Sequence, residues 1–292
     1  MVVVALAIGL VASVLWCPPA SAAAPVPGDW LSALNYYRAG AGLAPVVEDP
    51  ALSVAAFNHA RYTVCTGTVS HDEDPANPSY TPQGAWSAAR SNLAAGAAGR
   101  PGAAWIEQWM AAPFHAVHLL DPRLVTVGFG LSEVGPGDPC LGRAPWSAAA
   151  GLDVINGLSP TTPLRPILFP GQDSVIRVNR FVGETPDPRY PCPGGPEAWT
   201  GLPMVGMFGG QPSSPMAWLE GPSGSLEVCL VNAANYIHPD PNWAATGRSI
   251  LGSYRAVVII PRRPLDPGVH HLGVISDPAA HESLNSWFRV DP

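Results

Sequence analysis

The sequence predicts an α+β protein in two parts, the first rich in helix and the second built from short strands. Apolar residues in the first half recur three to four positions apart, which is typical of helices. After residue 163, short apolar runs separated by proline and glycine are typical of an antiparallel sheet. The chain of 292 residues is too long for one ordinary core, so two domains are expected.

Two helices are predicted near the start of the first half. Asp29 is a suitable N-cap for a helix over residues 29–39. Asp49 and Pro50 indicate the start of a second helix, because proline is favoured at the first helical position. His59 lies on the apolar side of this second helix, so a hydrogen-bonded structural histidine is favoured over a ligand.

The most informative segment joins a helix to a strand through a histidine. Apolar residues between Trp105 and Met110 share one helical face. Pro113 is expected to end that helix and to leave His115 on an exposed turn. Alternating apolar residues over 125–131 then predict a half-buried strand.

Four motifs occur in order along the first half. They are LNYYRAGAGLAPV at 34–46, ALSVAAFNHARYTV at 51–64, SHDED at 70–74 and RSNLAAG at 90–96. In this order they resemble the CAP or SCP superfamily of cysteine-rich secretory, antigen 5 and pathogenesis-related proteins, in its bacterial secreted form. The resemblance implies a three-layer α-β-α sandwich, an extracellular location, and a central cleft that often binds a divalent cation through two histidines and two acidic residues.

The resemblance assigns the two cleft histidines to His71 in SHDED and to His115 in APFHAVHLL. It also shows that both acidic positions are replaced, by Ser91 where the family reads ENLA or ENIA, and by Ala112 at the end of WMAA. Two imidazoles alone are an incomplete set of metal ligands, so weak binding of a divalent cation such as zinc, or none, is expected. Ser91 and Asn92 are predicted to line a ligand-binding cleft with the two histidines.

The acidic run after His71 admits two interpretations. Asp72, Glu73 or Asp74 could turn a carboxylate toward the cleft and rebuild part of the site. Charge runs beside proline are more often exposed turns, so a solvated loop is preferred.

Composition indicates an exported protein without a nucleic-acid partner. Residues 1–22 carry no charge, contain an apolar run over 2–15 and end in small residues, which predicts a signal peptide. No later segment is apolar for long enough to span a membrane. The net charge of -7 argues against nucleic acid, and all 15 residues of the Lys and Arg class are arginine, which suggests a GC-rich genome.

The predicted organisation is a signal peptide at 1–22, a CAP-like domain at 23–157, a linker at 158–163 and a β-sandwich at 164–292. The second half resembles fibronectin type III and other immunoglobulin-like modules through RRPLDPGVHHLGVI, with His271 at the usual tyrosine position. Strands are expected in its apolar runs, at 166–169, 174–182, 203–208, 225–231, 254–260 and 270–275.

Four cysteines follow the predicted leader, at Cys65, Cys140, Cys192 and Cys229. An even number in an exported chain predicts two disulfides. Three pairings are open, and pairing within each domain favours Cys65 with Cys140 and Cys192 with Cys229. The chain has no CxxC motif, which gives a thiol redox site little support.

Three functions are consistent with these residues. The preferred one is a secreted, non-catalytic module that binds a small apolar ligand, such as a lipid, or a cell-envelope component. The second is a metal-dependent or serine-type hydrolase using His71, His115 and Ser91, and the third is a structural cell-envelope protein. The chain lacks G-x-S-x-G and H-E-x-x-H motifs, and AHESL at 280–284 lacks the second histidine. A binding module is therefore favoured over an enzyme.

Overall fold

The computed structural model describes residues 29–277 and 282–291. The predicted signal peptide at 1–22 and His281 of the AHESL motif lie outside these residues. The described residues contain six α-helices and three sheets, so the predicted mixture of helix and sheet is confirmed. None of the helices in these two ranges is both long and apolar enough to cross a bilayer.

In the described part of the first half, five helices surround one sheet. The helices are α1 (Trp30–Gly40), α2 (Pro50–Thr66), α3 (Pro82–Ala88), α4 (Gly102–Met110) and α5 (Pro113–Leu119). The strands are β1 (Val47–Glu48), β2 (Ser91–Gly96), β3 (Thr126–Glu133) and β4 (Ala148–Asp153). They pair in the order β1-β3-β4-β2, with β1 parallel to β3 and the other pairs antiparallel.

The starts of α1 and α2 follow from their capping residues. The Asp29 carboxylate accepts a hydrogen bond from the backbone nitrogen of Leu31 at 3.0 Å. The Asp49 carboxylate accepts one from Ala51 at 2.9 Å, with Pro50 at the first helical position. Both predicted N-caps are confirmed, since each carboxylate satisfies a backbone donor that the helix itself leaves free.

Helices lie on both faces of this sheet. α2 crosses one face so closely that a Cβ atom on Gly130 of β3 would lie 1.9 Å from the backbone nitrogen of Phe57. Glycine is therefore required at this crossing. On the opposite face, Phe129 contacts Trp30 of α1 and Trp109 of α4, with ring centroids 5.2 and 6.4 Å away.

The segment after α4 is a second helix and not a turn. α4 ends at Met110, and Pro113 begins α5, because proline is well tolerated at the first helical position. The prediction that His115 lies on an exposed turn is therefore wrong, since His115 is the third residue of α5. The next strand, β3, begins at Thr126, and Val125 before it is exposed.

In its described part, the second half contains nine strands and one α-helix. The strands are β5 (Ile167–Phe169), β6 (Val175–Ile176), β7 (Met204–Met207), β8 (Met216–Gly221), β9 (Gly224–Leu226), β10 (Val228–Asn232), β11 (Ala256–Pro261), β12 (Gly268–Ile275) and β13 (Ser283–Val290). The helix is α6 (Pro241–Tyr254), and a 3-10 turn spans Pro196–Ala198. One sheet has the antiparallel order β10-β11-β7-β5, and the other has the order β6-β13-β12-β8-β9, in which β6 and β13 are parallel.

The second half differs from the prediction in several strands and one helix. The expected strand at 174–182 is regular only over β6, and its remainder is irregular chain. Strands β8 and β13 and the helix α6 were missed. α6 begins with Asp240 as N-cap before a proline, the same signal that starts α2, and its buried residues Ala244, Leu251 and Tyr254 follow a helical spacing.

The structure contains two disulfides, Cys65–Cys140 and Cys192–Cys229. The prediction of two bridges is confirmed. Each bridge closes a loop within one half of the chain, which constrains the unfolded chain and stabilises that half.

The two halves also share buried apolar contacts. Tyr37 of α1 contacts Phe169 of β5, with ring centroids 6.0 Å apart. Phe114 of α5 contacts Tyr236 at 5.2 Å. The segment 158–163 between the halves contains no helix or strand. The contact between Phe114 and Tyr236 places α5 against the second half.

Candidate functional site

His71 lies on the loop between α2 and α3. Its Nδ1 atom lies 2.8 Å from the backbone carbonyl oxygen of Ala88, the last residue of α3. A carbonyl oxygen can only accept, so Nδ1 carries a proton and donates it to this bond. In the neutral ring, the Nε2 atom is then left as a hydrogen-bond acceptor.

His115 is held by a carboxylate from the second half of the chain. Its Nδ1 atom lies 2.7 Å from Oε2 of Glu184, and Oε1 of Glu184 accepts a hydrogen bond from the backbone nitrogen of Phe114 at 3.2 Å. Ala112, the N-cap residue of α5, has no side chain that can cap the helix. Glu184 therefore caps α5 and orients His115 at the same time.

The other end of α5 is held by a buried arginine. Arg38 of α1 donates from Nη1 to the backbone oxygens of Leu119 and Asp121, at 2.7 and 3.0 Å. Burial lowers the pKa of Arg38 to about 10, so its guanidinium remains charged at neutral pH. With both ends satisfied, α5 holds His115 in a defined position.

Glu184 is the residue of this site that sequence reasoning missed. Its side chain is 1 % exposed, and burial raises its pKa above the ordinary range, while the hydrogen bond from His115 acts in the opposite direction. An acidic residue within the apolar and proline-rich stretch FVGETP was the only available signal, and its partner lies 69 positions away.

His71 and His115 lie together in one groove between the two halves. Two adjoining compartments of about 360 and 280 Å³ share His71, His115, Thr185 and Trp243 as lining residues. The larger is otherwise walled mainly by apolar side chains, including Val69, Leu93 and Trp109. The smaller compartment is lined by other apolar side chains, including Ile155, Pro186 and Ile250. The larger compartment falls within the size range of small-molecule sites.

Ser91 and Asn92 both line the smaller compartment, but each has a partner within the protein. The hydroxyl of Ser91 lies 3.1 Å from the hydroxyl of Ser87. The side-chain amide of Asn92 donates to the backbone oxygen of His115 at 3.2 Å. Asn92 therefore supports α5, and the hydroxyl of Ser91 is directed to another serine and not to an imidazole.

The acidic run after His71 does not contribute a carboxylate to the groove. Glu73 turns inward, where its Oε1 atom lies 2.9 Å from Nδ1 of His59 and its Oε2 accepts from the backbone nitrogen of Thr81 at 3.1 Å. Asp72 and Asp74 are exposed. The preferred interpretation of a solvated loop is therefore wrong for Glu73, because an internal histidine provides a partner that the local pattern does not reveal.

The donor set of the groove does not fit a closed metal site. Two imidazoles line it, while the oxygens of Glu184 contact His115 and the backbone of Phe114. Within residues 29–277 and 282–291, no group of three or more His, Cys, Asp or Glu side chains is placed to hold a metal ion. A stable site for zinc or a harder divalent cation needs further ligands.

His118 lies one turn after His115 on α5 and also lines the smaller compartment. Its Nδ1 atom donates to the backbone oxygen of Phe114 at 2.9 Å, and its ring contacts Tyr254 of α6. Burial, reinforced by the neighbouring His115, lowers the pKa of His118 to about 4. The side chain is therefore neutral at pH 7, and its contacts within the protein indicate a structural role.

Comparison with known proteins supports the resemblance found in the motifs. Residues 31–140 match the family model of CAP, the cysteine-rich secretory protein family. The match covers less than half of the chain; it includes both groove histidines but neither Glu184 nor Trp243. A search of curated proteins gives no match. A CAP domain indicates a secreted type of binding module in general.

Proposed function

We propose that this protein is a secreted binding module that captures a small ligand with an apolar body, of the lipid or cell-envelope kind, in the groove between its halves. The observation that carries the proposal is the placement of two imidazoles, from His71 and His115, in one groove with apolar walls. The two disulfides and the CAP match support export to an oxidising compartment.

Binding fits this groove better than catalysis. The acidic positions of the resembling family are Ser91 and Ala112 here, so no carboxylate of the groove is available to a substrate. Both imidazoles instead have their Nδ1 atoms fixed by the protein, which leaves each Nε2 atom to contact a ligand. Apolar walls with few polar groups are typical of sites that retain small molecules.

The second half is proposed to be a β-sandwich that also forms one wall of the groove. Support for the sandwich comes from Gly206 of β7, where an added Cβ atom would lie 3.1 Å from the side chain of Val274 in β12, so the two sheets approach closely there. Support for the wall comes from Glu184, Thr185 and Trp243, which lie outside the CAP match and line the groove. The second half then serves binding directly as well as acting as a spacer or adhesion unit.

Native mass spectrometry of the protein purified from its producing cells tests this function. The wild type is expected to carry a bound species of low mass that a double variant, His71→Ala with His115→Ala, does not retain. His271→Ala is the matched control, because His271 lies on β12 and does not line the groove. A wild-type protein without any bound species, also after incubation with lipid extract and cell-wall fragments, contradicts the proposal.

A hydrolase is the second candidate, and the contact between His115 and Glu184 is the observation that favours it. A carboxylate that orients an imidazole is the arrangement found where histidine acts as a general base. Turnover of p-nitrophenyl esters of increasing chain length tests this candidate. Activity that is lost in His115→Ala and kept in His271→Ala supports it, whereas equal rates in both variants exclude it.

A further inference from the structure

The groove is poor in carboxylates, although the protein as a whole is acidic. The chain carries a net charge of -7, yet Glu184 is the only carboxylate among the described residues that line the two compartments. The oxygens of Glu184 contact His115 and the backbone of Phe114, and its side chain is 1 % exposed. A ligand with a negative charge therefore meets no free carboxylate in the groove.

The contact with Glu184 determines what His115 offers to a ligand. A carboxylate this deeply buried is unfavourable unless a proton or a cation neutralises it, and the His115 ring is the group in contact with it. The proton between the two groups can reside on either partner. In these two arrangements the far nitrogen, Nε2, carries a hydrogen and donates toward the groove. Where a neutral ring instead donates Nδ1–H to the ionised carboxylate, Nε2 is an acceptor, which takes up the proton of an acid ligand and then donates to its carboxylate.

His71 offers the complementary group. Its Nδ1 atom donates to the carbonyl oxygen of Ala88, so Nε2 of the neutral ring is an acceptor, and protonation converts it to a cationic donor. One donor beside one acceptor matches a carboxylic acid, and one donor beside one cation matches a carboxylate. The ligand and His71 together carry the same number of protons in the two cases. The cases differ only in whether one proton lies on the carboxyl group of the ligand or on Nε2 of His71.

Two further groups at the groove also favour an anion. Arg90 lines the smaller compartment, and its Nη1 atom is bonded to the backbone oxygen of Trp86, which leaves other guanidinium donors. Gln108 lines the larger compartment, and its oxygen is taken by Arg100, so its amide nitrogen is the group left to donate. Each compartment thus has one further donor beside its apolar walls, a guanidinium in the smaller and an amide in the larger.

Resting on the binding function proposed above, we propose that the groove selects small carboxylic acids with an apolar body. His71 and His115 hold the carboxyl group, and the apolar walls beside Trp109 and Trp243 hold the body. Glu184 is a positioning residue, because it acts on the ligand through His115.

Isothermal titration calorimetry with three probes of equal chain length tests the selection. Octanoate, octan-1-ol and octylammonium share one alkyl chain and differ only in the head group. Octanoate is expected to bind about tenfold more tightly than octan-1-ol, since a charge-assisted hydrogen bond contributes more than a neutral one. Octylammonium is expected to bind most weakly of the three.

Variants then assign the selectivity to residues. His115→Ala should reduce the affinity for octanoate to that for octan-1-ol, and His271→Ala should change neither. Glu184→Gln should weaken octanoate several-fold and leave octan-1-ol unchanged, whereas a purely structural loss would weaken both. His115→Gln, which keeps a side-chain donor, provides a second variant should the alanine variant fold poorly, and it is expected to retain part of the preference.

The outcomes separate this inference from the function on which it rests. Equal binding of octanoate and octan-1-ol, or tighter binding of octylammonium, overturns the selection for acids and leaves a binding groove intact. Failure of all three probes also overturns it, and the species found by native mass spectrometry then decides the broader function separately.

Discussion

Two pairs of histidine and glutamate in this protein make almost the same contact in different surroundings. His59 lies 2.9 Å from Glu73, and His115 lies 2.7 Å from Glu184, in each case through Nδ1. The side chains of the first pair are 1 and 0 % exposed, whereas His115 is 20 % exposed and borders the groove. Access to a cavity, and not the pairing itself, distinguishes a candidate site from an internal support.

Both carboxylates also bind a backbone nitrogen and so organise the chain around them. Glu73 accepts from Thr81, the N-cap residue of α3, and Glu184 accepts from Phe114 in the first turn of α5. Each pair therefore links a histidine to the start of a helix. The comparison predicts that the internal pair acts mainly on stability and the groove pair mainly on binding.

The largest expected effect is on the internal pair. His59→Ala should lower the free energy of unfolding by about 3 to 5 kcal/mol, because it leaves the buried Glu73 without its partner. His59→Gln, which keeps a donor, should lose less. Urea denaturation measures both values, and octanoate affinity of the folded variants should equal that of the wild type. A loss below about 1 kcal/mol in the alanine variant would show that the pair contributes little.

Acid should destabilise the protein through histidines that burial keeps neutral. Burial lowers the pKa of His59, against the opposing effect of Glu73, and lowers that of His118 to about 4 from an ordinary 6.5. The unfolded chain therefore takes up protons first, so this stability is full above about pH 6.5 and is lost as pH falls toward 4. For His118 the loss is of the order of 3 kcal/mol.

Denaturation over this pH range gives the free energy of unfolding of the wild type and of His118→Phe. The difference between the two values, followed against pH, tests this effect. Burial raises the pKa of Glu184, so that carboxyl group acts with the opposite sign: its stability is present at low pH and lost as pH rises. Comparing the two proteins removes this shared contribution. Parallel pH profiles for wild type and variant would mean that His118 does not titrate differently in the folded state.

A smaller effect on stability is expected at the groove pair. Glu184→Ala should cost about 1 to 3 kcal/mol, since Phe114 and His115 both lose an acceptor. Glu184→Gln keeps an oxygen for the helix start and should cost less than half as much. Glu220→Gln, at an exposed position of β8, serves as the control. Equal losses in the alanine and glutamine variants would argue against the capping role.

The smallest effect is expected from Ser91→Ala. The variant removes one hydrogen bond between two serine hydroxyls, which should cost about 1 kcal/mol or less in thermal or urea denaturation. Octanoate affinity should not change. If the protein hydrolyses esters and this variant abolishes turnover, Ser91 is a nucleophile and the serine-type hydrolase replaces the binding module.

Local signals predicted much of the helical half and less of the second half. Asp29 and Asp49 cap their helices as expected, because capping depends only on residues within one turn. Pro113 misled the prediction, since a proline that ends one helix can also begin the next. Strands β8 and β13 were missed, because strands are stabilised mainly by distant partners, and helix α6 was missed although its start carries the same capping signal as α2.

The sequence by itself identified His71 and His115 as candidate site residues, the absence of acidic residues at positions 91 and 112, and the cysteines that form two disulfides. Those assignments rest on motifs that are local in the chain. The tertiary structure alone decided that Glu184 supports His115. That contact joins residues 69 positions apart and arises only when the second half folds against α5 and buries the carboxylate where His115 can neutralise it.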